Sequence, residues 1–131
     1  MDWFGEPRNY TFAPNVTYRP WNRLVSIFAY LDDSCTGGET YFPDVQGISA
    51  VADGDKFSRT DTGTGLLVRP KRRNAVLWNN LLNNGSGDSR VAHVGLPVHS
   101  GRKVGINLFS HYSLDAPMLG GDEEAEANGS V

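Results

Sequence analysis

Short runs of β-branched and aromatic residues, separated by clusters of Gly, Asp, Asn and Pro, recur along this chain. Runs of this kind, bounded by turn residues, are typical of β-strands. They predict strands at residues 23–31, 39–42, 66–69, 75–78, 91–98 and 103–112. No stretch has the apolar spacing of an amphipathic helix. Many short strands joined by Gly-rich turns favour an all-β barrel or jelly roll.

The last predicted strand carries a lysine whose position is chemically informative. Because side chains alternate along a strand, we expect Lys103 to share a face with Asn107 and Phe109. Val104 and Ile106 then lie on the opposite face. A lysine at the end of an otherwise apolar strand points its ammonium either into water or into a cavity that holds an anion. For an isolated lysine the solvated position is the commoner one.

The segments between these strands are predicted to be irregular. Residues 1–22 are rich in aromatic residues, Pro and Asn, residues 44–64 and 79–90 are predicted loops, and residues 99–102 form a predicted tight turn. Beyond residue 115 the chain is rich in Gly, Ala and acids, a composition that cannot bury a core. We therefore predict one domain over residues 1–115 and an acidic disordered tail over residues 116–131.

Composition and charge exclude several classes of partner. The 131 residues carry a net charge of −3 and a pI of about 5.5, so no basic surface is expected to hold nucleic acid. No apolar run is long enough to cross a bilayer, and no membrane segment is predicted. The single cysteine, Cys35, cannot close a disulfide within the chain.

Acceptor sequences for N-glycosylation bear on the compartment. They occur at Asn9, Asn15, Asn84 and Asn128, where chance would give about one. The excess favours the endoplasmic reticulum lumen or another part of the secretory pathway. Coincidental loop asparagines explain it about equally well, so a cytoplasmic protein stays open.

Six short motifs together resemble one enzyme family. They are Tyr-Leu-Asp-Asp at 30–33, Gly-Gly-Glu-Thr-Tyr-Phe-Pro at 37–43, Val-Arg-Pro-Lys at 68–71, Ala-Val-Leu-Trp at 75–78, His-x-Gly-x-Pro-Val at 93–98 and Gly-x-Lys at 101–103. In order and spacing they resemble the catalytic domain of the prolyl 4-hydroxylases, over about residues 1–115. The motifs at 37–43 and 93–103 are specific in combination, although either alone would be weak.

The resemblance implies a fold and a set of site residues. The family fold is a double-stranded β-helix, a jelly-roll or cupin-like barrel, with Fe(II) held by two histidines and one carboxylate. Carried over by position, Asp2 and His93 are metal ligands, Lys103 pairs with the far carboxylate of 2-oxoglutarate, and Thr40 supports it by a hydrogen bond. Arg23 is a candidate contact for a peptide substrate, with a plain salt bridge as the alternative. No protein side chain is assigned a catalytic role of its own.

One feature departs from the family pattern. The first metal motif of the family is His-x-Asp, whereas here only Met1 precedes Asp2. The resemblance therefore implies that the first histidine lies one residue upstream and that the barrel is incomplete at its N-terminus. A site with two protein ligands is expected to hold Fe(II) more weakly. The remaining histidines, His99 and His111, are expected at the surface.

The resemblance also implies an activity. It is a dioxygenase that depends on Fe(II) and 2-oxoglutarate, hydroxylates peptidyl proline and releases succinate and CO2, with ascorbate restoring iron that has been oxidised. Two alternatives remain: a hydroxylase of the same cofactor class with another substrate, and a non-catalytic barrel fragment. Succinate formation would separate the enzymes from the fragment, and competition by proline-rich peptides would separate the two enzymes.

Overall fold

A computed structural model describes residues 1–10, 19–46, 54–60 and 62–114. These residues form short strands, one 3-10 helix and no α-helix, so the described fold is mainly β, as predicted. The strands are β1 (Arg8–Tyr10), β2 (Arg19–Asn22), β3 (Val25–Asp32), β4 (Cys35–Gly37), β5 (Thr40–Phe42), β6 (Phe57–Ser58), β7 (Leu66–Val68), β8 (Ala75–Asn79), β9 (Val94–Gly95), β10 (Val98–Gly101), β11 (Val104–Phe109) and β12 (Tyr112–Ser113). The 3-10 helix is Ser89–Val91.

The strands pair antiparallel in four sheets. Their orders are β1-β2-β12, β10-β4, β11-β3-β8 and β6-β7-β5-β9. Most neighbours in these sheets are distant in sequence: β3 lies between β11 and β8, and β5 lies between β7 and β9. Antiparallel sheets with such long connections are consistent with the predicted jelly-roll-like fold.

The core lies between two of these sheets. Tyr30 and Trp78 from the sheet β11-β3-β8 pack against Phe42 and Val68 from the sheet β6-β7-β5-β9. Phe42 and Trp78 meet edge to face with their ring centroids 5.3 Å apart. Strand alternation explains the choice, because Tyr30 and Phe42 fall on the inward positions of β3 and β5.

The opposite face of the sheet β11-β3-β8 is apolar and exposed. The register places Leu108 beside Ile27 and Leu77, and Ile106 beside Ala29. Leu77 is 63% exposed and Leu108 is 50% exposed. Within the described residues nothing covers this face.

Two predicted strands were wrong in extent. Residues 91–98 begin within the 3-10 helix and continue as β9 and the start of β10. Asp88 starts that helix because its side chain accepts a hydrogen bond from the amide of Arg90, and Pro97 between the strands cannot donate to a ladder.

Residues 103–112 also divide. A register shift between Val104 and Gly105 interrupts the pairing of β11 with β3, and Lys103 precedes the strand. At the other end β11 stops at Phe109, and Tyr112 pairs with β2 in another sheet.

Three irregular predictions also need correction. Residues 1–22 contain β1 and β2, and the loop predicted at 44–64 contains β6, although residues 47–53 and 61 lie outside the described residues. His99 and Ser100 belong to β10 rather than to a tight turn, and Gly101 ends that strand with a φ of 77°. The predicted acidic tail at 116–131 lies outside the described residues.

No helix in the described ranges is long and apolar enough to span a bilayer.

Candidate functional site

The side chains of Asp2 and His93 lie next to each other in the interior. The Nε2 atom of His93 is 3.7 Å from Oδ2 of Asp2, and the two side chains are 18% and 16% exposed. That distance is too long for a hydrogen bond. The two groups therefore face each other across a gap, without a direct bond.

The histidine has a fixed orientation. Its Nδ1 atom lies 3.0 Å from the carbonyl oxygen of Val91. A carbonyl can only accept, so Nδ1 carries a hydrogen, and in the neutral imidazole Nε2 then presents its lone pair toward Asp2. The ring also packs against Trp78 and Phe42, with centroid distances of 4.7 and 5.2 Å. Metal-binding histidines are commonly oriented by a bond of this kind from the other ring nitrogen.

The carboxylate of Asp2 has an unsatisfied oxygen. Oδ2 is buried and has no hydrogen-bond partner among the described residues. A buried, unpartnered carboxylate oxygen beside an imidazole lone pair is a donor set that a divalent metal ion would satisfy. Asp2 and His93 therefore fit two protein ligands of such a metal. No group of three His, Cys, Asp or Glu residues that could hold a metal occurs in the described part of the chain.

Lys103 lies in a second, half-buried environment. Its ammonium donates a hydrogen bond to the carbonyl of Gly38 at 2.6 Å and lies 5.1 and 5.5 Å from the ring centroids of Phe28 and Tyr30. Burial lowers the pKa of Lys103 below its ordinary value. In the described ranges no carboxylate lies within ion-pair distance of this ammonium. The environment thus leaves a positive charge available to an anion.

Thr40 lies beside the same aromatic ring. Its hydroxyl is 2.9 Å from the hydroxyl of Tyr30, which also donates to the carbonyl of Val68 at 3.4 Å. Burial raises the pKa of Tyr30 above its ordinary value, so the phenol stays neutral and can donate. Sequence reasoning missed Tyr30, although it stands at an inward position of β3 in the Tyr-Leu-Asp-Asp motif.

Strand β5 connects the two environments. Thr40 and Phe42 both point inward, roughly 7 Å apart along the strand. Thr40 contacts Tyr30 near Lys103, whereas Phe42 contacts the ring of His93. Extending the β5–β9 register by one residue places His93 opposite Phe42. The metal-type pair and the half-buried ammonium thus line one interior.

Arg23 contacts the N-terminal segment, residues 1–4. Its guanidinium donates a hydrogen bond to the backbone carbonyl of Asp2 at 3.4 Å. It also stacks over the ring of Phe109 at 3.9 Å and lies 5.1 Å from that of Phe4. None of these contacts of Arg23 is a salt bridge, which was the alternative predicted for this residue.

The other two histidines are exposed, as predicted. His99 lies in β10, and His111 stacks on Trp21 with centroids 4.2 Å apart.

A surface cavity of about 660 Å³ lies beside this interior. It is lined by Asn79, Leu81, Leu82, Asn83, Asn84, Asp88, Arg90 and Val91. Its charged groups, Asp88 and Arg90, are paired with each other at 2.6 Å. The cavity contains neither Asp2 nor His93, so the pair and not the cavity marks the candidate site.

Comparisons with known proteins point to one family. The chain is 40% identical over 90 residues to prolyl 4-hydroxylase 5 of Arabidopsis thaliana. The aligned region is 68% of the chain and 31% of that protein. It is 34% identical over 95 residues to prolyl 4-hydroxylase 2 of the same plant (71% and 32%). It is 32% identical over 90 residues to prolyl 4-hydroxylase subunit alpha-1 of Gallus gallus (69% and 14%). The matched region thus spans about a third or less of these relatives. No protein-family model matches the chain.

Proposed function

We propose that this chain, which belongs to the prolyl 4-hydroxylase family, supplies the Fe(II)- and 2-oxoglutarate-binding interior of an enzyme that hydroxylates proline in peptides. The observation that carries the proposal is the convergence of Asp2 and His93, with a buried carboxylate oxygen that has no hydrogen-bond partner in the described ranges. The identity with prolyl 4-hydroxylases supports the assignment of the reaction class.

The metal would be held by Asp2 and His93. When bound together with 2-oxoglutarate, Fe(II) supplies the oxidising chemistry that no side chain provides. The protein's part is to present a carboxylate and an imidazole with a fixed tautomer, set by the Val91 carbonyl. A two-histidine, one-carboxylate site needs one more histidine, which the described residues do not supply at this place.

The co-substrate would be held at Lys103. Its ammonium, now on the Gly38 carbonyl, would pair with the far carboxylate of 2-oxoglutarate in a charge-assisted hydrogen bond. The hydroxyls of Thr40 and Tyr30, which are 2.9 Å apart, would support the same carboxylate; the Tyr30 ring centroid lies 5.5 Å from the Lys103 ammonium. Aromatic walls exclude water and so strengthen this pairing.

The substrate would be a proline-containing peptide. An extended proline-rich segment adopts the polyproline II shape, which suits aromatic surfaces. Arg23 with the rings of Phe4 and Phe109 forms such a surface at the edge of the Asp2 site. In the proposed reaction one oxygen atom of O2 enters proline and the other enters succinate, while CO2 leaves. Ascorbate would restore iron oxidised without substrate turnover.

Product formation tests this function. The chain extended by one histidine before Met1, which restores the third ligand, and supplied with Fe(II), 2-oxoglutarate, ascorbate and a proline-rich peptide, is expected to form succinate and hydroxyproline in equal amounts. The same extended chain with Asp2→Asn is expected to form neither. Succinate without hydroxyproline would favour a different substrate. No succinate would favour the non-catalytic barrel fragment and contradict the proposal.

We place the chain in the secretory pathway. Of the four acceptor asparagines, Asn84 is exposed, and its side-chain oxygen accepts hydrogen bonds from the amide and hydroxyl of Ser86, at 3.0 and 2.7 Å. Asn9 is described only as part of β1, and Asn15 and Asn128 lie outside the described residues. When the protein is expressed with a secretion signal in eukaryotic cells, we expect an endoglycosidase-sensitive mass that Asn84→Gln reduces by one glycan. An unchanged mass in Asn84→Gln would contradict the use of Asn84 as an acceptor and remove the structural support for this placement.

A further inference from the structure

The side chain of Asn22 makes two hydrogen bonds to the backbone of Phe4. Its Oδ1 atom accepts from the amide of Phe4 at 3.0 Å, and its Nδ2 atom donates to the carbonyl of Phe4 at 3.0 Å. Oδ1 also accepts from the amide of Arg23 at 2.9 Å. Asn22 is only 2% exposed, so breaking these bonds would leave a buried amide without partners, which is costly.

These two hydrogen bonds between Asn22 and Phe4, here called the bracket, anchor a segment that has no β-ladder of its own. Residues 1–4 belong to no strand, yet Phe4 exchanges an N–H and a C=O bond with one partner, as a hydrogen-bonded pair does in an antiparallel sheet. Asn22 ends β2, so the bracket ties residue 4 to the sheet β1-β2-β12. Asp2 is two residues away.

Further contacts fix the residues between the bracket and the carboxylate. The indole of Trp3 occupies the place where a Cβ on Gly87 would stand, so only glycine fits there. The ring of Phe4 packs edge to face on Trp21 at 5.2 Å, and Arg23 donates to the carbonyl of Asp2 at 3.4 Å. The two hydrogen bonds between Asn22 and Phe4, at 3.0 Å each, are shorter than the bond from Arg23 to Asp2 at 3.4 Å.

We infer that Asn22 is a positioning residue for the metal site: its bracket on Phe4 holds the Asp2 carboxylate opposite His93. The inference rests on the proposed function, since it takes Asp2 as a metal ligand. Without the bracket, residues 1–4 can adopt more conformations in the free protein. Metal binding must then also fix the position of Asp2. Loss of an outer partner of a ligand typically weakens metal binding by about 10- to 100-fold.

The chain offers a matched control for the loss of a buried amide. Asn80 is 0% exposed and donates to the hydroxyl of Ser26 at 2.7 Å, but makes no hydrogen bond to residues 1–4. Replacing Asn80 by Leu should destabilise the fold in a way comparable to replacing Asn22. A purely structural role for Asn22 would therefore make the two variants behave alike at the metal site.

Mn(II) titration of the 15N-labelled chain, followed by NMR, tests the inference. Mn(II) is paramagnetic and broadens the His93 imidazole signals even when binding is weak. We expect Asn22→Leu to raise the dissociation constant at His93 by about 10-fold or more, and Asn80→Leu to leave it within about twofold. The Phe4 amide should exchange with solvent much faster in Asn22→Leu only.

Two more variants separate the possible failures. Asp2→Asn should abolish the broadening at His93; if it does not, the proposed metal site is wrong. If Asp2→Asn weakens binding while Asn22→Leu frees the Phe4 amide without changing the Mn(II) affinity, only the role of Asn22 is overturned. Should Asn22→Leu fail to fold, Asn22→Asp, which keeps the acceptor and loses the donor to Phe4, must still weaken binding for the inference to stand.

Discussion

At the scale of single residues, the candidate site depends on groups that the protein leaves incompletely satisfied. Among the residues that the structure describes, a buried oxygen of Asp2 has no hydrogen-bond partner, and the ammonium of Lys103 pairs with a carbonyl and with no carboxylate. Both positions follow from the sequence motifs. The bracket from Asn22 to Phe4 does not, because a side-chain-to-backbone bond across 18 positions leaves no periodic signal.

Lys103 gives a direct prediction at this scale. Lys103→Ala should weaken 2-oxoglutarate binding by about 10- to 100-fold, because a hydrogen bond between charged groups contributes about 1.5–3 kcal/mol. Isothermal titration calorimetry would measure the change. Lys71→Ala is the control, since Lys71 pairs with Asp55 at 2.5 Å in another part of the chain. Equal affinities in wild type and Lys103→Ala would remove Lys103 from the site.

The affinity at Lys103 should also depend on pH. Only the ammonium form pairs with a carboxylate, and burial lowers the pKa of Lys103 in the free protein. Binding should therefore weaken as the pH rises through that lowered pKa, before an ordinary lysine would lose its proton. The same calorimetric titration at increasing pH follows this loss.

At the scale of elements, strand pairing explains which predictions held. The strands predicted at 23–31, 39–42, 66–69 and 75–78 correspond to β3, β5, β7 and β8. Of these, β3, β5 and β7 are paired on both sides, and β8 pairs with β3 alone. The strand predicted at 91–98 divides at Pro97, and the one predicted at 103–112 divides after Phe109, where the chain passes to the sheet of β2. A register shift within β11 separates Val104 from Gly105. A register shift depends on the partner strand, which periodicity along one segment cannot reveal.

Strand β11 depends on a glycine. A Cβ on Gly105 would collide with the ring of Phe28, whereas a Cβ on Gly95 in β9 would meet nothing within 4 Å. Gly105→Ala should lower the free energy of unfolding by about 1–3 kcal/mol through overpacking. Gly95→Ala should change it by less than about 0.5 kcal/mol. Denaturant titration of both variants decides, and equal midpoints would contradict the packing of β11 on β3.

The junction of β3 and β11 is predicted to respond to acid. Hydrogen bonds from Arg102, then from Ser34, lower the pKa of Asp32 to about 2, from 3.8. The unfolded chain binds this proton more readily, so the stabilisation is complete above 3.8 and is lost as the pH falls toward 2. Asp32→Asn should flatten the fall of the thermal midpoint in this range. Asp44→Asn, in the turn after β5, should not; an equally steep fall in Asp32→Asn would contradict the assignment.

At the scale of the whole molecule, the site and the uncovered face lie on opposite sides of one sheet. The inward residues of β3 and β8 line the core near His93, while Leu77, Ile106 and Leu108 on the other face are exposed. The sequence predicts the mainly β architecture and the family. The sequence does not reveal the exposed apolar face. In a strand, the pattern of apolar residues is the same whether their side chains are buried or exposed.

The central claim is that the metal and 2-oxoglutarate bind side by side in one interior. Calorimetric titration of 2-oxoglutarate into the chain, with and without saturating Mn(II), measures this directly, because adjacent ligands that chelate each other change each other's affinity reciprocally. We predict clearly tighter binding with Mn(II), and loss of that gain in Asp2→Asn and His93→Ala. The same affinity with and without the metal would contradict the account.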